Sequence, residues 1–146
     1  MEHHDEVLDA LFCPRAVAVV GAGRAPQSIG YQLVNNLLEF GYRGAIYPVN
    51  PKADEILGQA CFPSIDALPT PVDLAVLALP ARMIIDTVRA CHAKGIRGIV
   101  TITSGFRESG EDGAELEQEL RQTLRDLGLK MVGPNCMGLL NTAEGV

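Results

Sequence analysis

The chain has 146 residues, 47% of them hydrophobic and 21% charged, with no tryptophan and a net charge of −6. This is enough for one domain with a substantial core, and the negative balance argues against a sequence-independent grip on nucleic acid. No apolar run reaches the roughly 20 residues of a membrane span, and the acidic start Met-Glu-His-His-Asp-Glu lacks the regions of a secretory signal, so a cytoplasmic location is expected.

Residues 5–12 read as a short helix, with Val7, Leu8, Leu11 and Phe12 spaced to bury one face. Residues 16–20, Ala-Val-Ala-Val-Val, form an uninterrupted apolar run suited to a strand buried on both faces. Gly21 and Gly23 then allow a tight turn. Ser28 is placed to cap a helix that carries Tyr31, Val34, Leu37 and Leu38 and stops at Gly41. Residues 44–49 read as a second strand, which the internal Pro48 weakens unless it lies near the strand's end. Between 53 and 70, Gly58, Pro63 and Pro69 break the pattern, leaving short helical turns near 53–57 and 64–68.

Residues 73–79 form a third buried strand, stopped by Pro80. A helix follows over 81–94, with Met83, Ile84, Thr87, Val88 and Cys91 on one side and Gly95 as its stop. Residues 98–103 are a fourth strand. Residues 110–127 are a helix with Leu116, Leu120, Leu124 and Leu127 at helical spacing and a surface Glu117–Arg121 pair, ended by Gly128. Residues 129–132 are a fifth strand. Alternation of this kind implies an α/β, Rossmann-like, doubly wound parallel sheet of about five strands with helices on both faces.

In such a sheet ligands bind beyond the carboxyl ends of the strands. A strand, a glycine turn and a helix N-terminus in succession make an anion cradle, because free N–H groups and the helix dipole both favour negative charge. The dinucleotide fingerprint is Gly-x-Gly-x-x-Gly. Here Pro26 stands at the third glycine position and the next glycine is Gly30, so the loop is longer than that fingerprint. After the second strand, where an NAD site carries an acid for the ribose, this chain has Asn50 and then Lys52. A cation there suits a ligand phosphate. NADP is one candidate and coenzyme A, with its 3′-phosphate and pyrophosphate, is another; a solvated surface lysine is the third reading. Thr103, Ser104 and Gly105 offer hydroxyls and open backbone beside the same cleft, or serve as helix caps. Pro80 and Ala81 offer a small rigid wall.

Cys13, Cys61, Cys91 and Cys136 form no C-x-x-C pair, so no zinc site is expected, and the first three read as packing residues or surface thiols. His3, His4 and His92 have no carboxylate or nucleophile at a telling spacing, and no catalytic residue or metal ligand is assigned.

Four segments carry a resemblance: Val-Val-Gly-Ala-Gly-Arg-Ala-Pro-Gln-Ser-Ile-Gly (19–30), Tyr-Pro-Val-Asn-Pro-Lys (47–52), Ser-Gly-Phe-Arg-Glu-Ser-Gly (104–110) and Gly-Pro-Asn-Cys-Met-Gly-Leu-Leu-Asn-Thr (133–142). With them the chain resembles the coenzyme A-binding domain of the nucleoside-diphosphate-forming acyl-CoA synthetases, the superfamily of succinyl-CoA synthetase. It is most similar in pattern to ADP-forming acetate–CoA ligases and to the regulatory half of some bacterial protein lysine acetyltransferases.

The resemblance implies that Gly21, Gly23, Arg24, Ser28 and Ile29 hold the nucleotide end of coenzyme A, with Asn50 and Lys52 at a phosphate. It implies that Leu79, Pro80, Ala81, Thr103, Ser104 and Gly105 line the pantetheine groove, and that Asn135 lies near the thiol end, with Cys136 a packing residue. It also implies a phosphohistidine domain and an ATP-grasp domain as partners, in the same protein or complex. Residues 1–146 would then be a single domain, the N-terminal part of a longer ligase, binding coenzyme A or acyl-CoA and inactive alone. An acetyl-CoA-sensing domain of an acetyltransferase is the alternative, and an NAD(P)-binding module the next.

Overall fold

A computed structural model describes residues 6–146; His3 and His4 lie outside them. Five parallel strands make the sheet: β1 (Ala16–Val20), β2 (Ala45–Val49), β5 (Leu74–Leu77), β6 (Gly98–Thr101) and β7 (Lys130–Val132), in the order β2-β1-β5-β6-β7. β1 sits between β2 and β5, with Val17 paired to Ile46 on one side and to Leu74 on the other. That position explains its composition. All five of its residues are buried, so neither face can carry a polar side chain.

Alternate β1 residues serve two cores. Val17 and Val19 face Leu11 of α1 (Glu6–Phe12) and Val34 and Leu37 of α2 (Ile29–Glu39). Ala18 and Val20 face the opposite core. There Ile84 and Val88 of α3 (Ala81–Ala93) and Leu120 of α4 (Glu111–Asp126) pack with Ile99 and the fully buried Phe106. The doubly wound α/β arrangement expected from the alternation is therefore the one observed. Pro48 falls on β2, an edge strand, where its missing N–H breaks no ladder with a further strand; its carbonyl accepts from Phe62 N–H at 2.9 Å.

The three predicted helix stops share one hydrogen-bond pattern. After α2, Gly41 N–H donates to Leu38 and Tyr42 N–H to Leu37. After α3, Gly95 donates to His92 and Ile96 to Cys91. After α4, Gly128 donates to Arg125 and Leu129 to Leu124. Each is a Schellman closure that satisfies carbonyls left open at a helix end.

The predicted strands 73–79 and 98–103 end earlier, at Leu77 and Thr101, and three further expectations need correction. Residues 53–57 are not helical: β3 (Glu55–Ile56) and β4 (Gln59–Ala60) form a two-residue antiparallel hairpin that buries Ile56. Residues 64–68 form a turn closed by Leu68 N–H to Ile65 O, with both side chains buried as a cover over the core. Glu117 does pair with Arg121, at 2.6 Å, but it is only 7% exposed and is not on the surface. It also accepts from Arg107 N–H at 3.4 Å, which ties α4 to the loop after β6. Past β7 the chain crosses the α1–α2 face, where Leu139 and Val146 join the core and Asn141 donates its side-chain amide to Phe12 O at 2.6 Å.

Candidate functional site

The crossovers diverge at β1 and β5. From β1 the chain runs through α2 to β2 on one side, while β5, β6 and β7 extend the sheet on the other. A cleft of about 330 Å³ opens at this switch point, at the carboxyl ends of the strands. Gly21, Ser28, Ile29, Leu79, Pro80, Thr103 and Ser104 line it.

Close backbone approach makes the floor. At Gly21 φ is +90°, and a Cβ there would stand 2.1 Å from Ala78 O. At Gly30 a Cβ would stand 2.0 Å from Gly21 O, so α2 presses on the turn more closely than any side chain allows. Gly30 therefore does the close-packing work of the fingerprint's last glycine, from a longer loop. Ser28 is the N-cap: its Oγ accepts from Tyr31 N–H at 3.2 Å and donates to Ala25 O at 2.8 Å. The first turn of α2 thus faces the cleft with its N–H groups and positive dipole end.

Beside this floor, Asn50 staples two loops. Its side-chain amide donates to Ala22 O at 2.7 Å and its Oδ1 accepts from Lys52 N–H at 2.8 Å. Arg24 reaches across to donate to Lys52 O at 3.1 Å. The Arg24 side chain and the Lys52 backbone are thereby held on one rim next to the α2 N-terminus, and both residues are exposed. Asn50, Lys52, Arg24 and Gly23 do not line the cleft itself; they form or brace its rim.

The opposite wall comes from β5 and β6. Thr103 is 6% exposed; its hydroxyl donates to Leu79 O at 2.9 Å and its N–H to Pro134 O at 3.1 Å. One residue thus fixes the spacing of the β5, β6 and β7 ends. A Cβ at Gly105 would meet Ala81 Cβ at 3.1 Å, so these two residues close that wall behind Ser104. Asn135 bridges to Ile102 and is exposed, one strand further out.

Sequence reasoning did not single out Gly30, Ala78 and Ile102, which also line the cleft. The signal for Gly30 was present, since it is the next glycine after the turn; the other two look like ordinary strand residues.

No thiol or imidazole in the described part is set up for chemistry at the cleft. Burial pushes Cys91 up to about 12. Burial also raises Cys61, against weaker hydrogen bonds to its sulfur. The Cys136 thiol is half-buried and donates to Thr101 O at 3.3 Å, which fits the packing role expected of it. His92 is exposed on the last turn of α3. Among the described residues no three His, Cys, Asp or Glu side chains come together as a metal site, and no helix is long and apolar enough to cross a membrane.

A parallel sheet with a glycine turn, a capped helix N-terminus and a basic rim at its switch point defines a nucleotide-binding α/β domain. Residues 15–142 match the family model of the CoA binding domain, and the chain belongs to that family. It is 45% identical over 135 residues to an ADP-forming acetate–CoA ligase (II) of Archaeoglobus fulgidus, covering 92% of this chain and 20% of that protein. It is 40% identical to the alpha subunit of the ADP-forming acetate–CoA ligase II of Pyrococcus furiosus, covering 93% of this chain and 30% of that subunit. Among solved structures, the dinucleotide-forming acetyl-coenzyme A synthetase 1 of Ca. Korarchaeum cryptofilum, in complex with phosphate and ADP, superposes with a TM-score of 0.90 at 40% identity. That match covers 97% of this chain and 30% of the other. The chain thus spans only a fifth to a third of these relatives.

Proposed function

We propose that the chain binds coenzyme A in the switch-point cleft and acts as the coenzyme A-binding part of an ADP-forming acyl-CoA ligase. The whole ligase would convert a carboxylic acid, coenzyme A and ATP into acyl-CoA, ADP and phosphate, by way of an acyl phosphate and a phosphohistidine. A phosphohistidine domain and an ATP-grasp domain, joined to this one in a longer chain or a complex, would carry those steps. This chain would supply the thiol substrate and hold it in place.

One observation carries the reading: two cations, Arg24 and Lys52, share a rim with the N-terminus of α2, where an NAD site would present a carboxylate. On this reading Gly21, Gly23, Ser28 and Ile29 receive the pyrophosphate through backbone N–H groups, and Asn50 holds the rim that Lys52 offers to the 3′-phosphate. Leu79, Pro80 and Ala81, with Thr103, Ser104 and Gly105 beside them on the same wall, guide the pantetheine arm outward. Asn135 stands near the thiol. The acyl group is transferred by residues of other domains, and no side chain described here takes a proton or forms a bond.

Calorimetry tests this with coenzyme A and dephospho-coenzyme A. A charge-assisted contact contributes about 1.5–3 kcal/mol. Solvent at an exposed rim puts Lys52 at the low end, so coenzyme A should bind about tenfold tighter than the dephospho form. Lys52→Ala should erase most of that difference. No heat from either ligand, or binding of a nicotinamide dinucleotide with coenzyme A refused, ends the proposal.

A further inference from the structure

The loop that follows Ser104 is held by a carboxylate that the cleft does not touch. Glu108, in the 3₁₀ turn Arg107–Ser109, folds back so that its Oε1 accepts from Gly105 N–H at 2.7 Å and from Phe106 N–H at 3.3 Å. The next amide, Arg107 N–H, goes to the buried Glu117, and the Arg107 guanidinium also lies toward Glu117, at 3.9 Å. Glu108 is therefore left to the backbone. Its grip lies between two fixed points. On one side Ser104 lines the cleft; on the other the Phe106 side chain is fully buried. Between them Gly105, at φ +107°, backs onto Ala81. Donors at its own backbone N–H and at Gly105 hold the Glu108 carboxyl below the usual glutamate value, against a smaller opposing effect of burial.

We propose that Glu108 is a positioning residue for coenzyme A: its carboxylate clamps the Gly105 and Phe106 amides and so fixes Ser104 against the cleft, beside Leu79 and Pro80. The inference rests on the reading of the cleft as a coenzyme A site and adds a positioning device outside the ligand's reach. With the clamp released, Gly105 is free to swing, and the pantetheine arm meets a wall that must be ordered on binding.

Amide proton shifts of the 15N-labelled chain, followed from roughly pH 3 to 7, read the clamp directly. Gly105 and Phe106 should titrate together, with a midpoint below the ordinary glutamate value of about 4.3. In Glu108→Gln that titration should vanish. Calorimetry at neutral pH reads the consequence. Glu108→Ala should weaken coenzyme A about five- to tenfold, and Glu108→Gln, which keeps a neutral acceptor, about twofold. Unchanged affinity in Glu108→Ala, or amide shifts that ignore pH, overturns the inference while leaving the coenzyme A reading intact. A wild-type chain that binds no coenzyme A overturns both.

Discussion

At Gly30 two effects of opposite sign compete. A helical glycine replaced by alanine gains about 1 kcal/mol in propensity. Here the added Cβ would fall 2.0 Å from Gly21 O and 2.8 Å from Ala22 Cα, both backbone atoms that no rotamer change can move aside. Overpacking of this kind costs about 1–3 kcal/mol, and contacts this short with backbone put Gly30 at the upper end, so Gly30→Ala should melt several degrees below wild type in a thermal scan; an equal or higher melting temperature refutes the close approach. Thr103 gives the complementary case. Thr103→Val keeps the volume but removes the donor to Leu79 O, leaving a carbonyl at the cleft wall unpaired at about 1–3 kcal/mol. The melting temperature should fall and coenzyme A affinity with it, while Thr103→Ser restores both. The sequence made Gly21, Ser28 and Thr103 visible as candidates because turn, cap and strand-end chemistry are local. It could not show that Thr103 spends its hydroxyl on Leu79, or that Asn50 spends its amide on Ala22, since those partners are brought together only by the sheet. Glu117 was misplaced for the same reason: helical spacing found its partner Arg121 but not the loop that covers it.

At the scale of elements, α2 separates two roles that Ser28 could play. As N-cap it accepts from Tyr31 N–H, and Ser28→Ala should destabilise the chain by about 1 kcal/mol. As part of a phosphate seat it should tolerate no negative charge. Ser28→Asp distinguishes the two, because aspartate caps as well as serine and suits the helix dipole. Its melting temperature should stay near that of wild type while coenzyme A affinity, measured by calorimetry, drops about tenfold or more. Retained affinity would mean that the ligand's phosphates do not approach this turn. The long elements were legible because buried parallel strands read as apolar runs and the helices carry both a periodic face and a glycine stop. Strands of two residues, as in β3 and β4, give no period at all, and residues 53–57 ahead of the Gly58 break read equally well as a helical turn. The overlong third and fourth strands have a simple cause. Backbone bonds continue past the ladder, with Ala78 N–H to Val20 O and Ile102 N–H to Leu77 O, but beyond them the chain turns away to form the cleft.

For the molecule as a whole, the two ends of the sheet divide the work. The carboxyl ends form the cleft, and the amino ends are pinned by Arg15 and Asp73, which precede β1 and β5. Arg15 N–H donates to Asp73 Oδ2 at 2.8 Å, and its guanidinium makes contacts at 3.1 and 3.3 Å to the two carboxylate oxygens. Burial alone would raise the Asp73 carboxyl, but the hydrogen bonds and charge of Arg15 outweigh it, and the net shift is downward. A carboxylate with a depressed value in the folded state stabilises the fold above its unfolded value, about 3.9 for aspartate, and that contribution is lost as pH falls from there through the folded value. Asp73→Asn should therefore lower the melting temperature at neutral pH, and the gap from wild type should close as the pH drops below about 4. Coenzyme A affinity at neutral pH should not change, because the clip lies a full strand length from the cleft. A pH-independent gap would mean that Asp73 acts through shape and not charge. A loss of affinity in Asp73→Asn would mean that the strand ends are coupled along their length and that the cleft depends on how the sheet is pinned below it.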